Sequence, residues 1–167
     1  MGRHRCSERQ KLASDRGMIE EGVMLINKGI KLGTHANEEL DDPSNTQDGI
    51  GVGCYLLTQA IELLMKGLIN CFGELPQANH VISNCARQLL MIGEHRVSEL
   101  NQISASLDDI SDKSFTYIIY TWQTAGRYNF LETEKRDIEK AQNVYNDLVR
   151  FSRNYQLTEV RESYDFF

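Results

Sequence analysis

Residues 52–71 read VGCYLLTQAIELLMKGLINC, and this stretch decides the fold. Its apolar and small side chains recur at alternating steps of three and one over about five turns, the spacing of one face of an α-helix. The predicted inward face comprises Val52, Tyr55, Leu56, Gln59, Ala60, Leu63, Leu64, Gly67, Leu68 and Cys71. Because no other segment is as apolar, we expect this helix to lie at the centre of the molecule.

Four further helices are predicted on either side of it, over about residues 7–32, 81–100, 106–126 and 133–155. Gly33 is expected to end the first of these helices. The acidic, turn-rich residues 38–45 then form an exposed loop, since Pro43 and Asn45 oppose helix continuation. Glu134 lies at a capping-box-like offset near the start of the last helix.

Residues 115–120, FTYIIY, have strong β propensity, but no partner strand appears elsewhere in the chain. A helix is therefore predicted there too. Five helices joined by short to medium loops give an all-α fold, an up-and-down antiparallel bundle of about five helices. A chain of 167 residues suits a single domain spanning residues 1–167.

The composition, 41% hydrophobic and 25% charged, is typical of a soluble globular protein. A mean hydropathy of −0.44 predicts no membrane span, and no signal peptide is recognised, so a cytoplasmic location is expected. The net charge of −6 argues against broad, nonspecific binding to DNA, because such binding needs many Lys and Arg side chains on phosphates.

Cysteine and histidine spacing predicts neither a metal site nor a disulfide framework. The cysteines are Cys6, Cys54, Cys71 and Cys85, and they form no C-x-x-C pair. The histidines are His4, His35, His80 and His95, and none has a partner at ligand spacing. We expect reduced, mostly buried thiols, no metal and no cofactor.

Gly49, Gly51 and Gly53 lie at the start of the central helix. Free N–H groups at a helix start can hold a phosphate, but neither the dinucleotide fingerprint nor the G-K-[ST] of a P-loop is present. Small residues that let the chain pass closely by a neighbouring helix are the favoured interpretation.

Gln59, Glu62 and Lys66 form one polar stripe along the central helix. Either Glu62 and Lys66 are an ordinary ion pair on a solvated face, or the stripe lines a cleft and Glu62 needs a cationic partner. Arg127, followed by Tyr128, is the preferred partner, although an Arg that merely bridges two helices is an equal alternative.

Two motifs resemble the HEPN superfamily of small helical proteins. Residues 55–69 hold an A-x-E-x-x-x-K pattern in Ala60, Glu62 and Lys66, and an Arg-Tyr pair follows at Arg127 and Tyr128. The sequence Asn79-His80, which is expected to open the third helix, adds to the resemblance. Over about residues 52–155, the resemblance implies an antiparallel helical bundle that forms a homodimer.

Many HEPN proteins are metal-independent RNases whose Arg and His lie about four to six residues apart and meet across the dimer. No His follows Arg127 at that spacing. The resemblance therefore implies the non-catalytic branch, whose members bind nucleotides or RNA, often beside a nucleotidyltransferase-type partner or within toxin–antitoxin and defence systems. In this branch Glu62, Lys66, His80, Arg127 and Tyr128 line a cleft for a phosphate-bearing ligand.

Two alternatives stay open at this point. A degenerate RNase would build its site from Arg87 and His95, with help from Arg96, but those first two side chains point about 80° apart around a helix. A pure interaction protein would instead associate through helix faces and the aromatic tail at residues 164–167.

Overall fold

A computed structural model of the chain describes residues 3–77, 81–125 and 134–159. Within these ranges every regular element is helical, and the prediction of an all-α helical bundle is confirmed. The elements are α1 Arg3–Asp41, α2 Gln47–Cys71, α3 Ile82–His95, a 3-10 helix Ser98–Ile103, α4 Ser104–Ser111, α5 Lys113–Ala125 and α6 Lys135–Asn154.

The central helix is α2, against which α1, α3, α5 and α6 all pack. Its fully buried side chains include Leu57, Ile61, Leu64, Met65, Leu68 and Ile69. The predicted inward face is partly wrong, since Val52 is 43% exposed and Leu63 is half-buried. Because neighbouring helices cover several sides of α2, hydrophobic periodicity alone does not single out one buried face.

By length and hydropathy, α2 could also span a membrane, and it is the one helix of this kind in the part of the chain that the structure describes. However, 67% of its most apolar window is buried inside the bundle. The apolar surface of α2 is thus covered by other helices of the same chain, as in the core helix of a soluble protein.

Helices α1 and α2 pack antiparallel along a stripe of small residues. These residues recur at every seventh position, as Gly22, Gly29 and Ala36 in α1 and as Gly53, Ala60 and Gly67 in α2. A Cβ on Gly67 would lie 2.7 Å from the carbonyl oxygen of Gly22, and one on Gly29 would lie 3.0 Å from that of Ala60. The two backbones therefore approach each other too closely for larger side chains.

Gly33 does not end α1, so the predicted boundary is wrong. A Cβ there would collide with the ring of Tyr145 from α6, whose hydroxyl donates a hydrogen bond to the Ile30 carbonyl at 3.0 Å. Gly33 makes room for a neighbouring side chain, and α1 continues to Asp41. The loop predicted over residues 38–45 shrinks to residues 42–46.

The predicted helix over residues 106–126 divides into α4 and α5 at Asp112, whose backbone is extended with ψ 129. Its Oδ1 accepts a hydrogen bond from the backbone N–H of Ser114 at 2.9 Å, as an N-cap residue does. The third helix also ends earlier than predicted, at His95. Glu134 occupies the N-cap position of α6, but its side chain makes no capping hydrogen bond.

Candidate functional site

Glu62 and Lys66 are the two members of the predicted site that the structure describes. Lys66 Nζ donates to Glu62 Oε1 at 2.8 Å. The Lys66 side chain is 18% exposed and that of Glu62 only 7%. The solvated-face alternative for this pair is therefore wrong, because the pair is largely enclosed within the bundle. Gln59, one turn earlier, is half-buried.

The pair is electrostatically coupled to Cys85 on α3. Burial raises the pKa of the Cys85 thiol, while the Lys66 ammonium lowers it and the Glu62 carboxylate raises it by smaller amounts. The polar stripe thus lies near the α2–α3 interface. A thiol whose pKa is raised stays protonated at neutral pH, so Cys85 is not an activated nucleophile.

His80, Arg127 and Tyr128 lie outside the described residues, and their convergence on Glu62 and Lys66 stays a prediction. The structure does correct the expected start of the third helix. The helix α3 begins at Ile82, and its N-cap position is Val81, which makes no side-chain capping hydrogen bond.

The residues of the RNase alternative do not converge within one chain. Arg87 and His95 are eight positions apart on α3, a rise of about 12 Å along a helix. The Arg87 guanidinium donates to Asn84 Oδ1 at 3.1 Å. Arg96 instead donates to the Phe72 carbonyl at 2.9 Å, so it ties the end of α2 to the end of α3.

The glycines at the start of α2 serve packing, as the favoured interpretation holds. A Cβ on Gly53 would lie 2.7 Å from Leu40 Cγ, and one on Gly49 would collide with the Asn45 side chain. The Thr46 hydroxyl accepts a hydrogen bond from Gly49 N–H at 3.3 Å and so occupies one donor of the helix start.

The buried cysteines are free thiols. Cys54, Cys71 and Cys85 form no disulfide, and Cys54 and Cys85 are buried. Burial raises the pKa of Cys71 to about 12. Over residues 3–77, 81–125 and 134–159, no three His, Cys, Asp or Glu side chains gather where they could hold a metal ion.

Two surface grooves were not foreseen from the sequence. The first lies between α1 and α6, with a volume of 390 Å³ and a polar extension of 160 Å³, and it is rich in carboxylates and amides. The second has a volume of 290 Å³ and lies between α3 and α5, where Tyr117 and Tyr120 are exposed. The sequence signal available for this second groove was a set of polar and aromatic residues on one side of a helix, namely Lys113, Thr116, Tyr117 and Tyr120.

Comparisons with protein-family models, with curated proteins and with solved structures found no match for this chain.

Proposed function

We propose that the chain is an HEPN-like module that binds a nucleotide or an RNA-related ligand and does not cleave RNA. The observation that carries this proposal is the enclosed Glu62–Lys66 pair in α2, the most apolar of the described helices. An enclosed ion pair stabilises a fold no better, on average, than well-packed apolar side chains do. Because stability alone does not account for a charged pair at such a place, its enclosure supports a role in binding.

Lys66 supplies a cation for a ligand phosphate, and its 18% exposure leaves a route from solvent. Glu62 fixes the position of the Lys66 ammonium through the 2.8 Å hydrogen bond. In the proposal Arg127 binds a second phosphate oxygen, Tyr128 stacks on the base and His80 completes the cleft. In the sequence, His80 precedes α3, and Arg127 and Tyr128 follow α5.

The resemblance extends the proposal to the biological setting. The module works as a cytoplasmic homodimer, beside a nucleotidyltransferase-type partner in a toxin–antitoxin or defence system. Light scattering on the purified chain tests the homodimer, because a monomer at micromolar concentration would contradict it. Co-purification with a co-expressed nucleotidyltransferase tests the partner.

Isothermal titration with ATP and with GTP tests the binding site. We expect Lys66→Met and Arg127→Ala each to weaken binding at least tenfold, because each removes a cation from the phosphates. Lys135→Met is the matched control, since Lys135 also lies four residues from a Glu, in α6, but with 90% of its side chain exposed. Unchanged affinity in Arg127→Ala would overturn the proposed site.

Incubation with a fluorescent single-stranded RNA tests the claim that the module does not cut. We expect the RNA to remain intact over hours at micromolar protein. Cleavage by the native chain that disappears in His95→Ala would instead establish the RNase alternative.

A further inference from the structure

The groove between α3 and α5 combines cations with exposed aromatic rings. Its α3 side presents Ser83 and Arg87, and its α5 side presents Lys113, Thr116, Tyr117 and Tyr120. Tyr117 is 72% exposed and Tyr120 is 61% exposed. They are three residues apart on α5, which places their Cβ atoms about 5–6 Å apart on one side of the helix. Two aromatic side chains thus stand next to each other at the surface.

The charge of this groove is opposite to that of the whole chain. The chain carries a net charge of −6, yet the described residues that line the α3–α5 groove include Arg87 and Lys113 and no carboxylate. Asp112 precedes Lys113 in the sequence, but it is not part of the groove lining, and its carboxylate accepts hydrogen bonds from the N–H and hydroxyl of Ser114. The groove between α1 and α6 differs, since its lining includes the carboxylates of Glu38, Asp41 and Glu139. Of these grooves, the one between α3 and α5 suits a polyanion.

We propose that the α3–α5 groove binds a short single-stranded nucleic-acid segment. Arg87 and Lys113 bind the phosphates, and the rings of Tyr117 and Tyr120 stack on the bases. The volume of 290 Å³ lies just below the range of about 300–1,000 Å³ for ligand pockets. We therefore expect the groove to hold about one nucleotide, with the rest of the strand in solvent.

This inference deepens the proposed function and rests on it for the ligand class, but it uses residues separate from Glu62, Lys66, His80, Arg127 and Tyr128. It explains why two large tyrosine rings are left exposed beside cations. Stacking also selects single strands, because the base faces of a duplex are covered by neighbouring base pairs.

Fluorescence anisotropy with labelled U8 RNA and dT8 DNA, titrated with the full chain, tests the groove. We expect Tyr117→Ala to weaken binding about tenfold, and Tyr117→Phe to keep most of it because the ring remains. Arg87→Ala and Lys113→Ala should weaken binding and each reduce the slope of log K against log salt by about 0.7. Lys31→Ala is the charge-matched control, since Lys31 is exposed on α1 and outside the groove lining.

Equal binding of U8 and dT8 assigns the groove to single strands in general, and preference for U8 assigns it to RNA; either result supports the proposal. Absence of binding at low salt overturns it, and acidic proteins would then be the class to test. Tyr117→Ala with native affinity also overturns it. The two proposals can fail separately. If ATP binding is insensitive to Lys66→Met and Arg127→Ala while oligonucleotide binding still requires Tyr117, the nucleotide site is wrong and the α3–α5 groove is supported.

Discussion

Replacing Gly67 with Ala tests the close packing of α1 against α2. The new Cβ would lie 2.7 Å from the Gly22 carbonyl oxygen, 2.7 Å from Ile26 Cγ1 and 3.0 Å from Ile26 N. Two of these three atoms belong to the backbone, so relief requires the helices to move apart. We place the overpacking cost at the upper end of the usual range, about 3 kcal/mol. The better helix propensity of Ala returns about 1 kcal/mol, which leaves a net loss of about 2 kcal/mol.

Gly17→Ala is the matched control, because Gly17 also lies in a helix but a Cβ there would meet nothing within 4 Å. That variant should gain up to about 1 kcal/mol from helix propensity alone. For a chain of this size, Gly67→Ala should lower Tm by roughly 4–8 °C and Gly17→Ala should raise it by a few degrees. Urea unfolding and calorimetry measure both. If Gly67→Ala is as stable as the native chain, or more so, the packing argument is refuted.

Three further predictions concern buried charge, a helix cap and the thiols. Lys66→Met should lower the free energy of unfolding in urea by about 2 kcal/mol, because it removes the cation beside a carboxylate that is mostly buried. Lys135→Met, at an exposed position, should change it by less than about 0.5 kcal/mol. Equal losses of stability in the two variants would contradict this prediction. Hydrogen bonds from Ser114 lower the pKa of Asp112 below its ordinary 3.8, so Asp112→Ala should be less stable than the native chain at pH 7. The difference in stability should shrink as the pH falls below 3.8 and through the lowered pKa of the native state. A difference that grows in acid would contradict this prediction. Burial raises the pKa of Cys71 to about 12 and also raises that of Cys85. Peptide mapping at pH 8 should therefore show little iodoacetamide labelling of either thiol until guanidinium unfolds the chain. Rapid labelling of these thiols in the native protein would contradict this prediction.

The sequence predicts the fold class well, because the helical period is strong over most of the segments that form helices. The core position of α2 follows from its composition, and the helical state of residues 115–120 follows from the lack of any partner strand. Phe115 is 1% exposed and Ile119 is 2% exposed, so two of the six residues in this β-prone run are buried in the core of the helical bundle.

Helix boundaries are predicted less well, and the reason lies in contacts between distant parts of the chain. A glycine such as Gly33 is typical of a helix end, but here its lack of a side chain leaves room for the ring of Tyr145, which is distant in sequence. Asp112 is a local signal that was available, because Asp two residues before Ser114 is a common N-cap arrangement. The heptad spacing of Gly22 and Gly29 was available too, and it predicts close helix packing.

The candidate site, like the helix boundaries, is predictable from the sequence only in part. The spacing of Glu62 and Lys66 predicts their pairing, since residues four apart face the same side of a helix. Their enclosure depends on where α3 and the other helices pack, which spacing does not report. The α3–α5 groove arises only when Arg87 and Tyr117, on separate helices, are brought together by the fold.

Native mass spectrometry of the freshly purified chain, recorded before and after addition of ATP, tests the central claim of nucleotide binding most directly. The account predicts a dimer that carries one nucleotide-sized adduct per subunit with ATP, and loses that adduct in Arg127→Ala but not in Lys135→Met. A spectrum without any adduct at millimolar ATP, or an adduct that persists in Arg127→Ala, would contradict the account.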